Sequence, residues 1–162
     1  MKLTTFGALA AMSLLAACAS KPTTDTNSTQ GQVQTAPPPT STVVPGSQED
    51  LVANVGDRVF FDFNSSSIRD DAQTTLDKQA AWLAKYPNVT LQVAGNCDSR
   101  GTEEYNLALG NRRAHAAKEF LVAKGVASSR LNTISYGKDR PTALGDDEQA
   151  WAQNRNAIAS VH

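Results

Sequence analysis

The stretch LQVAGNCDSRGTEEYNLALGNRRA, residues 91–114, decides the fold of this chain. Its beginning continues an alternation of apolar and polar residues that starts at Val89, which is the period of a half-buried strand. The loop 95–101 follows, and a glycine at each end permits turns that other residues resist. Thr102 then predicts a helix N-cap, with two glutamates in the next turn, where the helix dipole favours them. The stretch therefore predicts a strand, a polar loop and a helix.

The predicted helix carries a charged residue on its apolar face. Arg113 recurs at helical spacing with Asn106, Leu109, Ala117 and Phe120. Asp98 lies in the loop that leads into this helix. A carboxylate and a guanidinium at a strand-to-helix junction can grip a ligand that bears both charges. The alternative is an Asp that only turns the loop and an arginine that extends from a helix edge to solvent.

Strands and helices alternate over the rest of the chain from residue 51. Aromatic and β-branched residues predict a strand at 58–63, and further strands are predicted at 131–136 and 156–161. Helical spacing of apolar residues predicts a helix from Ile68 to Leu83, and a short helix is predicted at 147–153. Gly125 suits the end of the helix that begins at Thr102. The order predicts an α/β (α+β) sandwich with helices packed on a sheet.

The first 17 residues have the layout of a secretory signal. Lys2 precedes an uncharged, partly apolar run that is shorter than the about 20 residues of a membrane-spanning helix. The run ends at Leu15-Ala16-Ala17-Cys18, which resembles a bacterial lipobox, so we expect Cys18 to be acylated and to become the mature N-terminus. The alternative is an ordinary signal peptide that is cleaved near Ala17 or Ala19, with an incidental thiol.

Residues 18–49 have the composition of a tether. They hold five of the seven prolines of the chain, many Thr, Ser and Gln residues, and few apolar ones. Such a segment cannot bury enough apolar surface to offset its ordering entropy, so we predict disorder. Residues 50–162 are then one domain of ordinary size.

Several classes of function are disfavoured by the residues themselves. The formal net charge of -1 is unlike the basic surface of a nucleic-acid-binding protein. The two histidines, His115 and His162, cannot form a metal site as a pair, and no cofactor motif is found. The parity of the preceding strand directs Cys97 toward the core, where a thiol is usually an inert small hydrophobe.

Three segments together resemble the OmpA-like peptidoglycan-binding domain family: GNCDSRGTEEYNLALGNRRA at 95–114, SYGKDRP at 135–141 and AWAQNRNA at 150–157. The shared pattern is Gly, two variable residues, Asp, a second Gly, and then Asn-x-x-Leu-x-x-x-Arg-Ala. The resemblance covers about residues 55–161 and implies a mixed sheet in the order β-α-β-α-β-(α)-β. Two positions depart from the pattern: Asn96 replaces the usual histidine and Asn156 replaces a familiar arginine.

The resemblance implies recognition of meso-diaminopimelate, the zwitterionic side arm of the peptidoglycan stem peptide. Asp98 would bind its ammonium, and Arg113 would bind its carboxylate, because a planar guanidinium suits a carboxylate. Further residues are expected to line the pocket: Asn106, Asp62, Thr102, Tyr105 and Leu109.

The resemblance also implies a cellular role as a non-catalytic anchor. The chain would be held to the periplasmic face of the outer membrane by lipid on Cys18, a location that the absence of Asp at position 19 favours by family analogy. Expected partners are peptidoglycan and Tol-system proteins such as TolB, in envelope maintenance and cell division. The alternative is a wall-modifying enzyme with the same anchor. That class needs a nucleophile with its base, a metal set or a pair of functional carboxylates, and the sequence offers none.

Overall fold

The computed structural model describes residues 43–162. The predicted signal segment, Cys18 and the tether as far as residue 42 lie outside the described residues. The four predicted strands are all present, as β1 (Arg58–Phe60), β2 (Leu91–Asn96), β3 (Leu131–Gly137) and β4 (Asn156–Val161). β1 is shorter than predicted, because the chain turns at Asp62–Ser65 after one more backbone hydrogen bond, from Phe61 N to Arg155 O.

The predicted helices are present with small changes at their ends. They are α2 (Asp70–Lys85), α3 (Glu103–Ala123) and α4 (Glu148–Asn154). The Thr102 hydroxyl accepts a hydrogen bond from Tyr105 N at the start of α3, as predicted for an N-cap. Gly125 follows the end of α3 with a φ of +95°, the left-handed geometry that ends helices. The sequence did not predict α1 (Gln48–Asp50), which continues as a π-helical stretch (Leu51–Val55).

The four strands form one mixed sheet in the order β1-β4-β2-β3. β2 and β3 are parallel, and α3 connects them. β4 lies between β1 and β2 and is antiparallel to both. α3 packs on β2 and β3, whereas α2 packs on β1 and against α3. The predicted mixed-sheet architecture is therefore confirmed.

One face of the sheet and the two long helices enclose the core. The side chains in this core are almost wholly buried, and the larger ones are Leu51, Val59, Phe61, Leu76, Leu83, Leu91, Val93, Leu121 and Leu131. Alternate positions of the strands, such as Gln92 and Ile158, are only half-buried. This alternation is the pattern expected of a sheet that is covered by helices on one face.

Two glycines allow α3 to lie unusually close to β2. A Cβ atom added to Gly95 would lie 1.8 Å from the carbonyl oxygen of Gly110, and one added to Gly110 would lie 2.4 Å from Ser135 Oγ. Neither position can hold a side chain without moving the backbone of the other element. The close contact brings the middle of α3 against the end of β2, where the predicted site begins.

Packing begins a few residues before the predicted domain boundary at residue 50. The Asp50 carboxylate accepts hydrogen bonds from Gly46 N (2.8 Å), Asn54 Nδ2 (2.7 Å) and Trp82 Nε1 (2.9 Å). Gln48 Oε1 accepts a hydrogen bond from Val161 N at the end of β4. These contacts join the end of the predicted tether to the helical layer and to the sheet, so the prediction of disorder is wrong for residues 46–49. Among residues 43–162, no helix combines the length and apolarity needed to cross a membrane.

Candidate functional site

A cavity of about 170 Å³ opens where β2 ends and α3 begins. Its wall is formed by the loop after β1, the loop between β2 and α3, and the first turns of α3. The lining residues are Phe63, Asn64, Cys97, Asp98, Arg100, Gly101, Tyr105, Asn106, Leu109 and Arg113. The predicted pair, Asp98 and Arg113, therefore lies at one cavity, together with three of the five further candidates.

The Asp98 carboxylate is buried and surrounded by arginines. Its oxygens accept hydrogen bonds from Arg100 Nη2 at 2.7 Å and Arg100 Nε at 3.2 Å, and from Arg155 Nη1 at 3.4 Å. Burial by itself would raise the pKa of Asp98, but the hydrogen bonds and charge of Arg100, with help from Arg155, hold the pKa of this carboxyl below its usual value. Asp98 is therefore an anion at neutral pH.

The Arg113 guanidinium is held mostly by main-chain oxygens. Its Nη1 donates to Asn96 O at 2.7 Å, Nε donates to Ser65 O at 2.8 Å, and Nη2 donates to Asp62 O at 3.0 Å. A fourth contact joins Nη1 to Cys97 Sγ at 3.5 Å. Burial is the main cause that lowers the pKa of Arg113, but an arginine stays charged in proteins.

The hydrogen bonds that Arg113 already makes limit how many it can make to a ligand. A guanidinium has five N–H groups, and four of them are used by these contacts, so one finds no acceptor among the described residues. The side chain is only 1 % exposed but lines the cavity. It therefore has its charge and at most one N–H left for a ligand in the cavity, rather than a free fork.

Asn106, Tyr105 and Leu109 lie in the wall of the cavity, as predicted. Asn106 is buried, and its Nδ2 donates to Arg100 O at 2.8 Å and to Thr102 O at 3.0 Å, which fixes the loop over the start of α3. Tyr105 is 45 % exposed, and its hydroxyl donates to Asn64 Oδ1 across the cavity mouth.

Asp62 and Thr102 do not line the cavity with their side chains, so these two expectations need correction. The Asp62 carboxylate turns outward to an exposed ion pair with Arg69 at 3.1 Å, and only its main-chain oxygen contacts Arg113. The Thr102 hydroxyl is used as the N-cap of α3. Asp62 therefore contributes to the site through its main-chain oxygen, and Thr102 contributes through the cap that starts α3.

Sequence reasoning missed three charged residues that surround Asp98: Arg100, Arg155 and Glu148. Arg155 is buried, and its Nη2 donates to Glu148 Oε1 at 2.6 Å while its Nε donates to Phe61 O at 3.2 Å. Arg100 and Arg155 lie within the segments that carry the family resemblance, and that placement was the available signal. Nothing in their spacing indicated that both would point at Asp98.

Cys97 behaves as a buried structural thiol, as its strand parity predicted. It is 3 % exposed, and its Sγ contacts Asn106 O at 3.3 Å. Burial raises the pKa of this thiol, which disfavours the reactive thiolate. Within residues 43–162, no group of three or more His, Cys, Asp or Glu side chains could hold a metal ion.

The two positions that depart from the family pattern contact each other. Asn96, at the end of β2, donates through Nδ2 to Asn156 Oδ1 at 2.8 Å. Asn156, at the start of β4, donates in turn to Gln153 O at 2.6 Å and Thr142 Oγ1 at 3.1 Å. Both residues are buried. They fix the junction of β2 and β4 next to Cys97 and do not line the cavity.

Known proteins share this fold. The family model described as the OmpA family matches residues 60–155. A peptidoglycan-associated lipoprotein from Mesorhizobium japonicum is 54 % identical over 154 residues, which are 95 % of this chain and 89 % of that protein.

Solved structures agree with this assignment. The crystal structure of the peptidoglycan-associated lipoprotein from Burkholderia pseudomallei matches with a TM-score of 0.64 and 43 % identity, over 65 % of this chain and 90 % of that one. The C-terminal domain of Helicobacter pylori MotB matches with a TM-score of 0.60 over 64 % of this chain and 81 % of that one, and at 24 % identity it supports the fold alone. The chain therefore belongs to the OmpA family and, within it, to the peptidoglycan-associated lipoproteins.

Proposed function

We propose that this chain is an outer-membrane lipoprotein that anchors the membrane to peptidoglycan by binding the diaminopimelate stem peptide. The observation that carries the proposal is the position of Asp98 and Arg113, which bring opposite charges to one partly enclosed cavity. A zwitterionic group matches such a pair, because each of its charges then meets an opposite one away from bulk water.

Asp98 binds the ammonium of the ligand, and Arg113 meets its carboxylate. Since Arg113 has one donor to spare, the carboxylate needs further donors. Gly101 lines the cavity next to Thr102, the N-cap of α3, and the first N–H groups of a helix, together with its dipole, favour an anion there. Tyr105, Leu109 and Phe63 provide the apolar wall for the methylene groups of the ligand.

The role as an anchor also requires attachment at the other end of the chain. We infer that Cys18 is acylated, that several acyl chains hold it stably in the outer membrane, and that residues 19–45 span the gap to the wall. Tol-system proteins such as TolB are the expected protein partners. Mass spectrometry of the mature N-terminus tests the lipid, and an unmodified terminus that begins elsewhere would contradict it.

The binding role is tested by titrating purified domain with a diaminopimelate stem peptide. Replacing a charged partner in a partly desolvated site typically costs about 2–5 kcal/mol, so Asp98→Asn is expected to weaken binding at least ~30-fold. Asp71→Asn is the matched control, because that carboxylate is exposed on α2, and it should change the dissociation constant less than about twofold.

A second ligand tests the contribution of the ligand's carboxylate separately from that of its ammonium. A lysine-type stem peptide keeps the ammonium but lacks the terminal carboxylate, so it is expected to bind much more weakly. Equal affinity for the two peptides, or no effect of Asp98→Asn, would show that the cavity is not the binding site. Prolonged incubation with sacculi should release no soluble muropeptides, whereas release that one substitution abolishes would favour the wall-modifying enzyme.

A further inference from the structure

The Asp98 carboxylate has no free position for a ligand. Oδ1 accepts from the Arg100 main-chain N and Nε, both at 3.2 Å, and Oδ2 accepts from Arg100 Nη2 at 2.7 Å and Arg155 Nη1 at 3.4 Å. A carboxylate offers about four lone-pair sites, and all four are in use. An ammonium group therefore cannot bond to Asp98 until one of these donors leaves.

Arg100 is the donor that can leave. The side chain of Arg155 is only 9 % exposed, and Phe61 O and Glu148 hold it from the other side. The Arg100 side chain is 32 % exposed, and a second carboxylate, that of Glu148, lies near it. Arg100 Nη1 is 4.0 Å from Glu148 Oε2, whereas its other terminal nitrogen, Nη2, is the one bonded to Asp98.

Two aromatic rings would stay in contact with Arg100 during such a move. The guanidinium carbon lies 4.1 Å from the ring centroid of Phe63 and 4.0 Å from that of Trp151. Cation–π attraction depends on the position of the charge over the ring and not on which carboxylate the N–H groups reach. A small rotation from Asp98 to Glu148 therefore keeps these contacts.

The charges around the cavity favour the exchange. The carboxylates of Asp98 and Glu148 face three guanidinium groups, those of Arg100, Arg113 and Arg155. A further cation at Asp98 would be repelled by Arg100 at contact distance. If Arg100 moves to Glu148, the incoming ammonium takes its place and each carboxylate keeps a cationic partner.

We propose that Arg100 is a resident cation that occupies the ammonium position in the free protein and turns to Glu148 when the ligand binds. The inference rests on the proposed function, because it assumes an ammonium-bearing ligand at Asp98. Arg100 then limits affinity: the measured dissociation constant equals the intrinsic one divided by the fraction of molecules in which Asp98 is free. It is an affinity-determining residue that the ligand displaces.

The test is whether removing Arg100 improves binding. Arg100→Gln is expected to lower the dissociation constant for the diaminopimelate stem peptide about three- to tenfold, which corresponds to an open fraction of about 0.1 to 0.3 in the wild type. Arg112→Gln is the matched control, because it removes the same charge from an exposed position on α3 and should stay within about twofold. Weaker or unchanged binding by Arg100→Gln would overturn the proposal.

Two further measurements keep the outcomes distinct. Acetylating the free amine of the diaminopimelate residue removes the competing cation, so Arg100→Gln should then give no advantage. In the wild type, the Arg100 Nε–H resonance should shift on addition of the stem peptide, and an unchanged resonance would overturn the proposal even if the variant failed to fold. If the wild type does not bind the peptide at all, it is the proposed function that fails.

Discussion

Replacing Arg113 with alanine is expected to destabilise the whole domain, not only a binding site. The side chain is among the largest that are fully buried, and it joins three segments: the loop after β1, the end of β2 and the middle of α3. Alanine would leave the carbonyl oxygens of Asp62, Ser65 and Asn96 without their charged donor. The guanidinium carbon also lies 5.3 Å from the ring centroid of Phe61, so a cavity would open beside the core.

The size of the effect follows from where these oxygens lie. The bond to Asn96 O is buried, whereas the bonds to Ser65 O and Asp62 O are only partly buried and their acceptors can recover a water molecule. Hydrogen bonds to charged groups contribute about 1.5–3 kcal/mol each, and a buried unpaired group costs about 1–3 kcal/mol. We therefore expect Arg113→Ala to lower the free energy of unfolding by about 3–5 kcal/mol, a large part of the about 5–15 kcal/mol of a typical domain.

Urea denaturation of residues 43–162 measures this directly. With a slope of about 2 kcal/mol per molar urea, the midpoint should fall by about 1.5–2.5 M. Arg113→Lys keeps the charge, so it should lose less than alanine does, but its single nitrogen cannot reach all three carbonyl oxygens as the planar guanidinium does, so part of the stability should still be lost. Arg112→Ala, one residue away and exposed, should stay within about 0.5 kcal/mol of the wild type. A midpoint shift below about 0.5 M for Arg113→Ala, with an unchanged slope, would refute this account.

Two other predictions concern elements that position the site. Gly110→Ala places a methyl group 2.4 Å from Ser135 Oγ and 2.7 Å from Gly95 O. Calorimetry should therefore show that the free energy of unfolding falls by about 2–3 kcal/mol. A stability equal to that of the wild type would mean that α3 can move away from β2 without cost. Hydrogen bonds from Gly46, then Asn54 and Trp82, lower the pKa of Asp50 to about 2. A carboxylate with a lowered pKa stabilises the folded state fully above its unfolded pKa of about 3.9, and this stability is lost as the pH falls towards 2. The melting temperatures of wild type and Asp50→Asn should therefore converge over that range. A difference in melting temperature that stays constant with pH would contradict the role given to Asp50.

The elements of the fold follow from local sequence patterns, and their arrangement follows from long-range contacts. Alternation and helical spacing located the four strands and the helices α2, α3 and α4, because each amphipathic segment must bury its apolar side. No local sequence pattern indicates that β4 inserts between β1 and β2. α1 was missed because it is only three residues long, and its last residue, Asp50, is held by Trp82, which lies 32 residues away.

The sequence could indicate which residues lie at the site, but not which hydrogen bonds they make there. Loop position drew attention to Asp98, and helical spacing drew attention to Arg113, and both residues line the same cavity. Spacing cannot report which acceptors a guanidinium finds, so the capture of Arg113 by main-chain oxygens was not foreseen. For the same reason the sequence could not indicate that Arg100 and Arg155 neutralise Asp98 before any ligand arrives.

The contact between Asn96 and Asn156 explains how both departures from the family pattern fit in one chain. The two positions are neighbours on adjacent antiparallel strands, next to the register pair Gly95 and Ala157. Asn96 donates to the amide oxygen of Asn156, which leaves both amide hydrogens of Asn156 for Gln153 O and Thr142 Oγ1. An arginine at position 156 would bring a charge to a wholly buried position, which is costly without an anionic partner. The two asparagines are therefore best understood as one neutral unit that holds β2 against β4 and leaves the charges of the site to Asp98 and its arginines.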